Sequence, residues 1–327
     1  MTTLKSALGL FLATSVALIA PCGGARAQGY PSKPIQLVIP FSPGGATDIV
    51  GRLVGKKLSE RLGQPVVIEN KAGAGTVIGA AFVANAPADG HTLLISSGST
   101  FTVNPALNAK LPYDPLKSFE PIGLVARVPL IVLAHRDVPV NDLKHLIAAV
   151  RSAPDKYNYG SFGSGTTAHF AGELLWHAAG ITLQHVPYKG SAPAMSDLIG
   201  GQIPFTIDTV AAALPQLKTG KIKAIAVTGA ARATQLPEVP TVAESGIPGF
   251  NADSWLAVFA PRGLPADVRS KLQKALAETA TDAEIRDKLD ANGLQPAYEP
   301  AAAVTARIEA ELPRMRGIAQ RANIRAD

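Results

Sequence analysis

Three turns in this sequence carry residue types that can hold a small anion without a cation. In the first, Phe41-Ser42-Pro43-Gly44-Gly45-Ala46-Thr47-Asp48, two glycines stand between an apolar β-rich run and a helical pattern. Glycine takes backbone angles that a β-carbon forbids, so such a turn can aim several N–H groups into one concavity at a helix N-terminus. An anion there gains donors with no intrahelical partner and the positive end of the helix dipole, about half a charge. A plain strand-to-helix turn with Thr47 or Asp48 as the N-cap accounts for the same residues. The second turn, Gly160-Ser161-Phe162-Gly163-Ser164-Gly165-Thr166-Thr167-Ala168-His169, adds hydroxyl donors to flexible backbone. The third, Tyr188-Lys189-Gly190-Ser191-Ala192-Pro193, offers Ser191 as a cap and a proline in the opening turn of the next helix.

Other chemistries find less support. Gly73-Ala74-Gly75-Thr76-Val77-Ile78-Gly79, with Asp89 beyond it, imitates a dinucleotide fingerprint but has one residue too many before the last glycine. No Gly-x-Ser-x-Gly elbow occurs, and His135, His145, His169, His177 and His185 lack metal-ligand spacing with carboxylates. A hydrolase built on Ser164 and His169 would need residues five apart across a helix start to meet. No catalytic residue, metal or cofactor is therefore expected. The competing functional class is an exported α/β hydrolase-like enzyme acting on a small carboxylic substrate.

The chain has 327 residues and begins with Lys5, an apolar stretch from Ala7 to Ala20, and Ala25-Arg26-Ala27. That order is the pattern of a secretory signal, with cleavage expected after Ala27. The apolar stretch is shorter than the roughly 20 residues a membrane span needs. Removing the segment takes away Lys5 and Arg26, so the formal charge falls from +6 to +4. It also removes Cys22, the single cysteine; a lipid-modified N-terminus there is disfavoured by Pro21. The mature chain then has no disulfide and no thiolate chemistry. Its charges show no basic run interleaved with aromatics, which argues against nucleic acid as a partner.

About 300 residues remain after cleavage, enough for two domains of ordinary size. Short β-rich runs alternate with amphipathic stretches, which predicts parallel sheets covered by helices on both faces. Strands are expected over 35–41, 65–69 and 92–96, with helices over 50–62 and 76–85. A loop-rich, proline-dense stretch leads to the apolar run 122–134, expected to cross between lobes. The alternation restarts with helices over 140–151, 168–179, 192–198 and 211–218, and strands over 157–161, 183–186, 205–208 and 224–228. A second crossing strand is expected over 253–259, and three helices over 266–280, 282–292 and 300–322 close the chain. In doubly wound sheets ligands bind outside the carboxyl ends of the strands, so turns of this type from two lobes would face one cleft.

Tyr30-Pro31-Ser32-Lys33-Pro34-Ile35 leading into Pro40-Phe41-Ser42-Pro43-Gly44-Gly45-Ala46-Thr47-Asp48 resembles the mature start of the tripartite tricarboxylate transporter substrate-binding proteins, the Bug receptors. The likeness continues in family order through Gly63-Gln64-Pro65-Val66-Val67-Ile68-Glu69-Asn70, Pro87-Ala88-Asp89-Gly90-His91, Leu111-Pro112-Tyr113-Asp114-Pro115, Tyr157-Asn158-Tyr159-Gly160-Ser161, His185-Val186-Pro187-Tyr188-Lys189-Gly190 and Val239-Pro240-Thr241-Val242-Ala243-Glu244.

The resemblance implies an α/β, two-lobe periplasmic-binding-protein fold (type II, Venus flytrap), two doubly wound sheets joined by two crossing strands. Lobe 1 would take 28–127 plus 253–327, and lobe 2 would take 128–252. It implies a periplasmic, monomeric receptor that captures a small organic anion, a carboxylate, and hands it to membrane permease subunits or to a sensor protein. Carried over residue by residue, Phe41, Gly44, Gly45, Thr47 and Asp48 form one wall, bordered by Ser97 and Ser99. Gly163, Ser164, Gly165, Thr166, Thr167 and His169 form the opposing wall, with Tyr188 and Asp208 at the floor or rim. Ser42 and Thr209 depart from the commonest family pattern, the second where ligand size or polarity is sensed. Asp48 is a carboxylate in an anion site, so helix capping is the competing role for it; Lys189 competes as a loop brace, His169 as a packed cap, and Trp255 as hinge or core packing.

Overall fold

The structure, a computed structural model, describes residues 29–325. The signal segment, its cleavage after Ala27, and Cys22 lie outside the described residues. Two sheets organise the chain.

The first sheet has strand order β11-β4-β10-β3-β1-β2, from β1 (Ile35–Ile39), β2 (Val66–Asn70), β3 (Thr92–Ser97), β4 (Phe119–Val128), β10 (Ser254–Pro261) and β11 (Gln295–Pro300). Its central strand shows why the sequence runs apolar there. Leu37 and Ile39 pack with Val50, Val54 and Leu58 of α1 (Ala46–Leu62), while Val38 packs on the opposite face with Ala80 and Val83 of α2 (Val77–Ala84). A strand covered on both faces has no side to leave polar. The second sheet has order β7-β6-β8-β5-β9, from β5 (Leu130–His135), β6 (Asn158–Ser161), β7 (Gln184–Pro187), β8 (Phe205–Thr209) and β9 (Ile222–Val227). Helices α4 (Leu143–Ser152), α5 (Thr167–Ala179), α6 (Ser191–Ile199) and α7 (Val210–Leu217) connect its strands. Returning to the first sheet, α8 (Ala266–Ala280), α9 (Ala283–Ala291) and α10 (Ala301–Arg321) follow β10.

Both sheets are mixed, where the alternating pattern predicts parallel ones. β1 pairs in parallel with β2 and β3, and β6 with β7 and β8. β10 and β4, however, are antiparallel to each other, and β5 is antiparallel to β8 and β9. Parallel neighbours need a helical crossover, and the chain that leaves one lobe and returns has none. The apolar run 122–134 is two strands, β4 and β5, divided at Pro129, whose ring lacks the N–H that a continuous ladder would use. The return is anchored where Thr228 donates to the Leu130 carbonyl at 3.0 Å and Ala252 donates to the Thr228 carbonyl at 2.8 Å.

Three elements are absent from the sequence expectations. The loop-rich stretch opens with a π-helical turn, Ser99–Val103, running into α3 (Asn104–Leu107). β11 contains Pro296 and Pro300 and survives as a strand because it lies at the sheet edge, where only one side of its backbone must pair.

Candidate ligand-binding cleft

The first turn places its two glycines in different conformations. Gly44 sits at φ 91°, the left-handed region, while Gly45 is extended at φ −87°, ψ 175° and is the N-cap of α1. The backbone demand therefore falls on Gly44 alone. Gly45 is needed for clearance: a β-carbon there would lie 3.2 Å from the Ser191 hydroxyl of the other lobe. Neither Thr47 nor Asp48 is the N-cap. Asp48, buried three residues into the helix, accepts from the Gly44 N–H at 3.1 Å, from Arg52 at 2.9 and 3.0 Å, and from Asn70 at 3.0 Å. Burial pushes its carboxyl up, but those bonds and the Arg52 charge outweigh that and hold it below the usual carboxylate range. Asp48 thus braces the turn and consumes the Gly44 amide. Asp48→Ala should cost about 1–2 kcal/mol, because the Gly44 and Asn70 donors lose their shared acceptor while the exposed Arg52 is left to water and Asn70; urea unfolding at neutral pH measures it.

The second turn is also tied internally. Thr166 caps α5, accepting from the His169 N–H at 3.4 Å and donating to the Gly163 carbonyl at 2.6 Å. The Gly163 N–H donates to Ser161, the Gly165 N–H to His169 Nδ1 at 3.2 Å, and the Thr167 N–H across the cleft to the Ser99 hydroxyl at 3.0 Å. His169 is buried and stacks on His185 with ring centroids 4.2 Å apart. Ser191 is the first residue of α6, behind the N-cap Gly190, and its hydroxyl donates to Asp208 at 2.7 Å. The Tyr188 hydroxyl donates to Asp197 at 2.7 Å.

Between the lobes lies a small head chamber, lined by residues of both lobes. Of the expected residues, Phe41, Gly45, Thr47, Ser97 and Thr167 line it. Ser99, Thr166, His169 and Asp208 stand one layer behind, bonded to lining residues or their helix. Gly163, Ser164 and Tyr188 face a separate opening at the front of the cleft, shared with Gly73 to Val77 and Lys189. Gly44 borders a shallow surface recess with Ser191 and Ala192, and Gly165 packs against Asn104. Phe41 and Phe162 line both the chamber and that front opening, ring edge to ring face at 5.8 Å, one from each lobe. They form the partition between the chamber and the front opening.

Ala46, Val128, Leu130, Phe162, Ser254 and Leu256, which the sequence did not single out, complete the chamber together with Ser42, Ser191 and Thr209, which it named in other roles. Ser254 had one available signal, its place at the start of the returning strand. No Lys or Arg lines the chamber among the described residues. Positive potential comes instead from four helix N-termini, those of α1, α5, α6 and α7, each contributing a lining residue within its first turn or at its cap: Ala46, Thr167, Ser191 and Thr209. Asp48 and Ile49 turn their N–H groups to the Gly45 carbonyl, leaving the Ala46 and Thr47 amides as the donors that a helix start always has to spare. Aligned N-termini with hydroxyls at their mouths suit an anion of moderate charge.

Asp208 is fully buried behind this wall. Its Oδ1 accepts from Ser191 and from the Thr209 N–H at 2.7 Å, while Oδ2 has no partner among the described residues. Burial pushes the carboxyl up to about 6 against the lowering effect of those bonds.

The lobes are closed on one another. Ser42 donates its hydroxyl to the Lys189 carbonyl, and a β-carbon on Gly75 would overlap the Ser164 carbonyl oxygen. The dinucleotide-like glycines are therefore a contact between lobes, with Gly73 to Thr76 all at positive φ, Ala74 and Thr76 included. Trp255 stacks on Phe101 and donates to Glu311 at 3.0 Å.

The sequence profile of the Tripartite tricarboxylate transporter family receptor matches residues 50–324. The chain belongs to that family. BugT of Bordetella pertussis is 35% identical over 319 residues, covering 97% of each chain. The solved periplasmic binding protein BugD superposes with a TM-score of 0.87 at 36% identity, over 91% of this chain and all of that one. An R. palustris protein solved with adipate gives 0.87 at 36% identity over 90% of this chain and 98% of its own. MatC from Rhodopseudomonas palustris, solved with malate, gives 0.83 at 33% over 88% and 99%. This family member is thus a solute-binding receptor of the two-lobe α/β fold.

Proposed function

We propose that this receptor captures a small carboxylate in the head chamber and presents the closed form to membrane permease subunits. The observation that carries the reading is the convergence of four helix N-termini on one interlobe chamber without a cation. Relatives solved with adipate and malate support the carboxylate class. The receptor works as a periplasmic monomer, cleaved after Ala27, and not as an enzyme. Its lobes, 28–127 plus 253–327 and 128–252, move as two bodies about Val128-Pro129-Leu130 and Ala252. Ligand supplies the free-energy difference that favours closure, because amides from both lobes meet it only then.

A library of mono-, di- and tricarboxylates in thermal unfolding tests this. One or a few compounds should raise the melting temperature without being consumed, by an amount set by concentration over Kd. Turnover, or no shift with any carboxylate, contradicts the reading.

A further inference from the structure

Asp208 stands near the end of β8 on the sheet face that α6 and α7 cover. Its β5 partner Ile131 packs with Met195, Leu198 and Val210, whereas Ile207 belongs to the core on the α5 side. The carboxyl is fully buried, and its two oxygens differ. Oδ1 takes the Ser191 hydroxyl and the Thr209 N–H, and Oδ2 has no partner among the described residues. Ser191 opens α6, Thr209 caps α7, and both line the head chamber. An anion in the chamber and an ionised Asp208 therefore draw on the same two helix N-termini from opposite sides of one layer of residues.

Among the described residues no cation is bonded to Asp208. α7 carries no ionisable side chain. On α6, Asp197 accepts from Tyr188, and on β5, His135 stands four residues past Ile131 with Asp137 beside it. On β6, Tyr159 donates to Glu173 of α5, where His169 stacks on His185 and His177 is exposed. Across the cleft Asp48 and Arg52 pair with each other, and Lys189 lines the front opening. Asp253, beside the lining residue Ser254, is also pushed up by burial to about 6, against the pull of Arg127.

We propose that a carboxylate enters the head chamber together with a proton from solvent that settles on Asp208 Oδ2, so that Asp208 tunes affinity to pH without touching the ligand. The inference rests on the carboxylate reading of the chamber. Bound anion disfavours a second negative charge behind Ser191 and Thr209, which raises the Asp208 pKa above its ligand-free value of about 6. Below that value Asp208 is neutral with or without ligand, and affinity is constant. Above it the ligand must bring the proton, so affinity falls as pH rises and levels off once the bound form ionises too.

Isothermal titration from pH 6 to pH 8.5, in two buffers of different ionisation enthalpy, tests this on wild type, Asp208→Asn and Asp253→Asn. The probes are hexanoate, benzoate, succinate and adipate, acids largely ionised over that range. Wild type should lose about fivefold or more in affinity from pH 6 to pH 8.5 and take up a fraction of a proton per ligand near pH 7. Asp208→Asn should bind with no pH slope and no proton uptake, and Asp253→Asn should follow wild type. Carbon-13 NMR of the wild-type Asp208 carboxyl needs no variant: its titration midpoint should rise when ligand saturates the protein. A midpoint that stays put, a slope that survives in Asp208→Asn, or one that disappears in Asp253→Asn overturns the linkage while the carboxylate reading stands. If no probe binds wild type at any pH, both fall.

Discussion

Gly45→Val should lower ligand affinity about a hundredfold or more, a loss of at least 2.7 kcal/mol, while the ligand-free protein unfolds within a few degrees of wild type. Gly45 is extended, in a region that valine favours, so the isolated lobe tolerates the change. The obstacle appears only across the cleft. Its β-carbon would stand 3.2 Å from the Ser191 hydroxyl and 3.4 Å from the Ser191 β-carbon, and the γ-methyls reach further. The backbone at Gly190, just before Ser191, also runs close to Ser42, where an added β-carbon would stand 2.9 Å from the Ser42 β-carbon, so a shift on that side gives little relief without opening the lobes. Opening by an ångström withdraws one set of helix N-termini from the anion. Titration calorimetry with the best carboxylate, and small-angle scattering for the failure to compact on ligand addition, measure the two parts. Affinity within threefold of wild type would show that the lobes do not close at this contact.

The second large effect concerns Asp208. Its carboxyl keeps a proton up to about 6 in the folded protein, against an ordinary value of 3.8. Between those values the native state binds more protons than the unfolded chain. Stability therefore falls as pH rises through this window, is unaffected below it, and carries the full cost above it, about 3 kcal/mol. Asp208→Asn keeps an oxygen for the Ser191 and Thr209 donors and removes the charge. The variant should be more stable than wild type by about 1–3 kcal/mol at pH 8, with the difference fading towards pH 4. Urea midpoints across that range measure it. A variant less stable than wild type at pH 8 would mean that the buried charge is held by the N-termini of α6 and α7 and contributes to the fold.

The sequence itself determined much. Periodicity located the strands and helices around both glycine turns to within a few residues, because Leu37, Val50, Val54 and Leu58 face one shared core and burial imposes the spacing. Family motifs marked the two turns that meet. Local sequence could not decide which donors those turns keep. Gly44, Gly163, Gly165 and Thr167 spend their amides on Asp48, Ser161, His169 and Ser99, partners as far as 68 residues away. Nor could it show that Gly45 is required by Ser191 in the other lobe, or that Val128, Leu130 and Ser254 close the chamber. Those facts come from contacts between two lobes. Side chains that touch only on closure leave no periodic trace in either segment, since each satisfies its own lobe's pattern whichever way the other turns. The tertiary structure alone therefore decided which backbone donors remain free at the chamber.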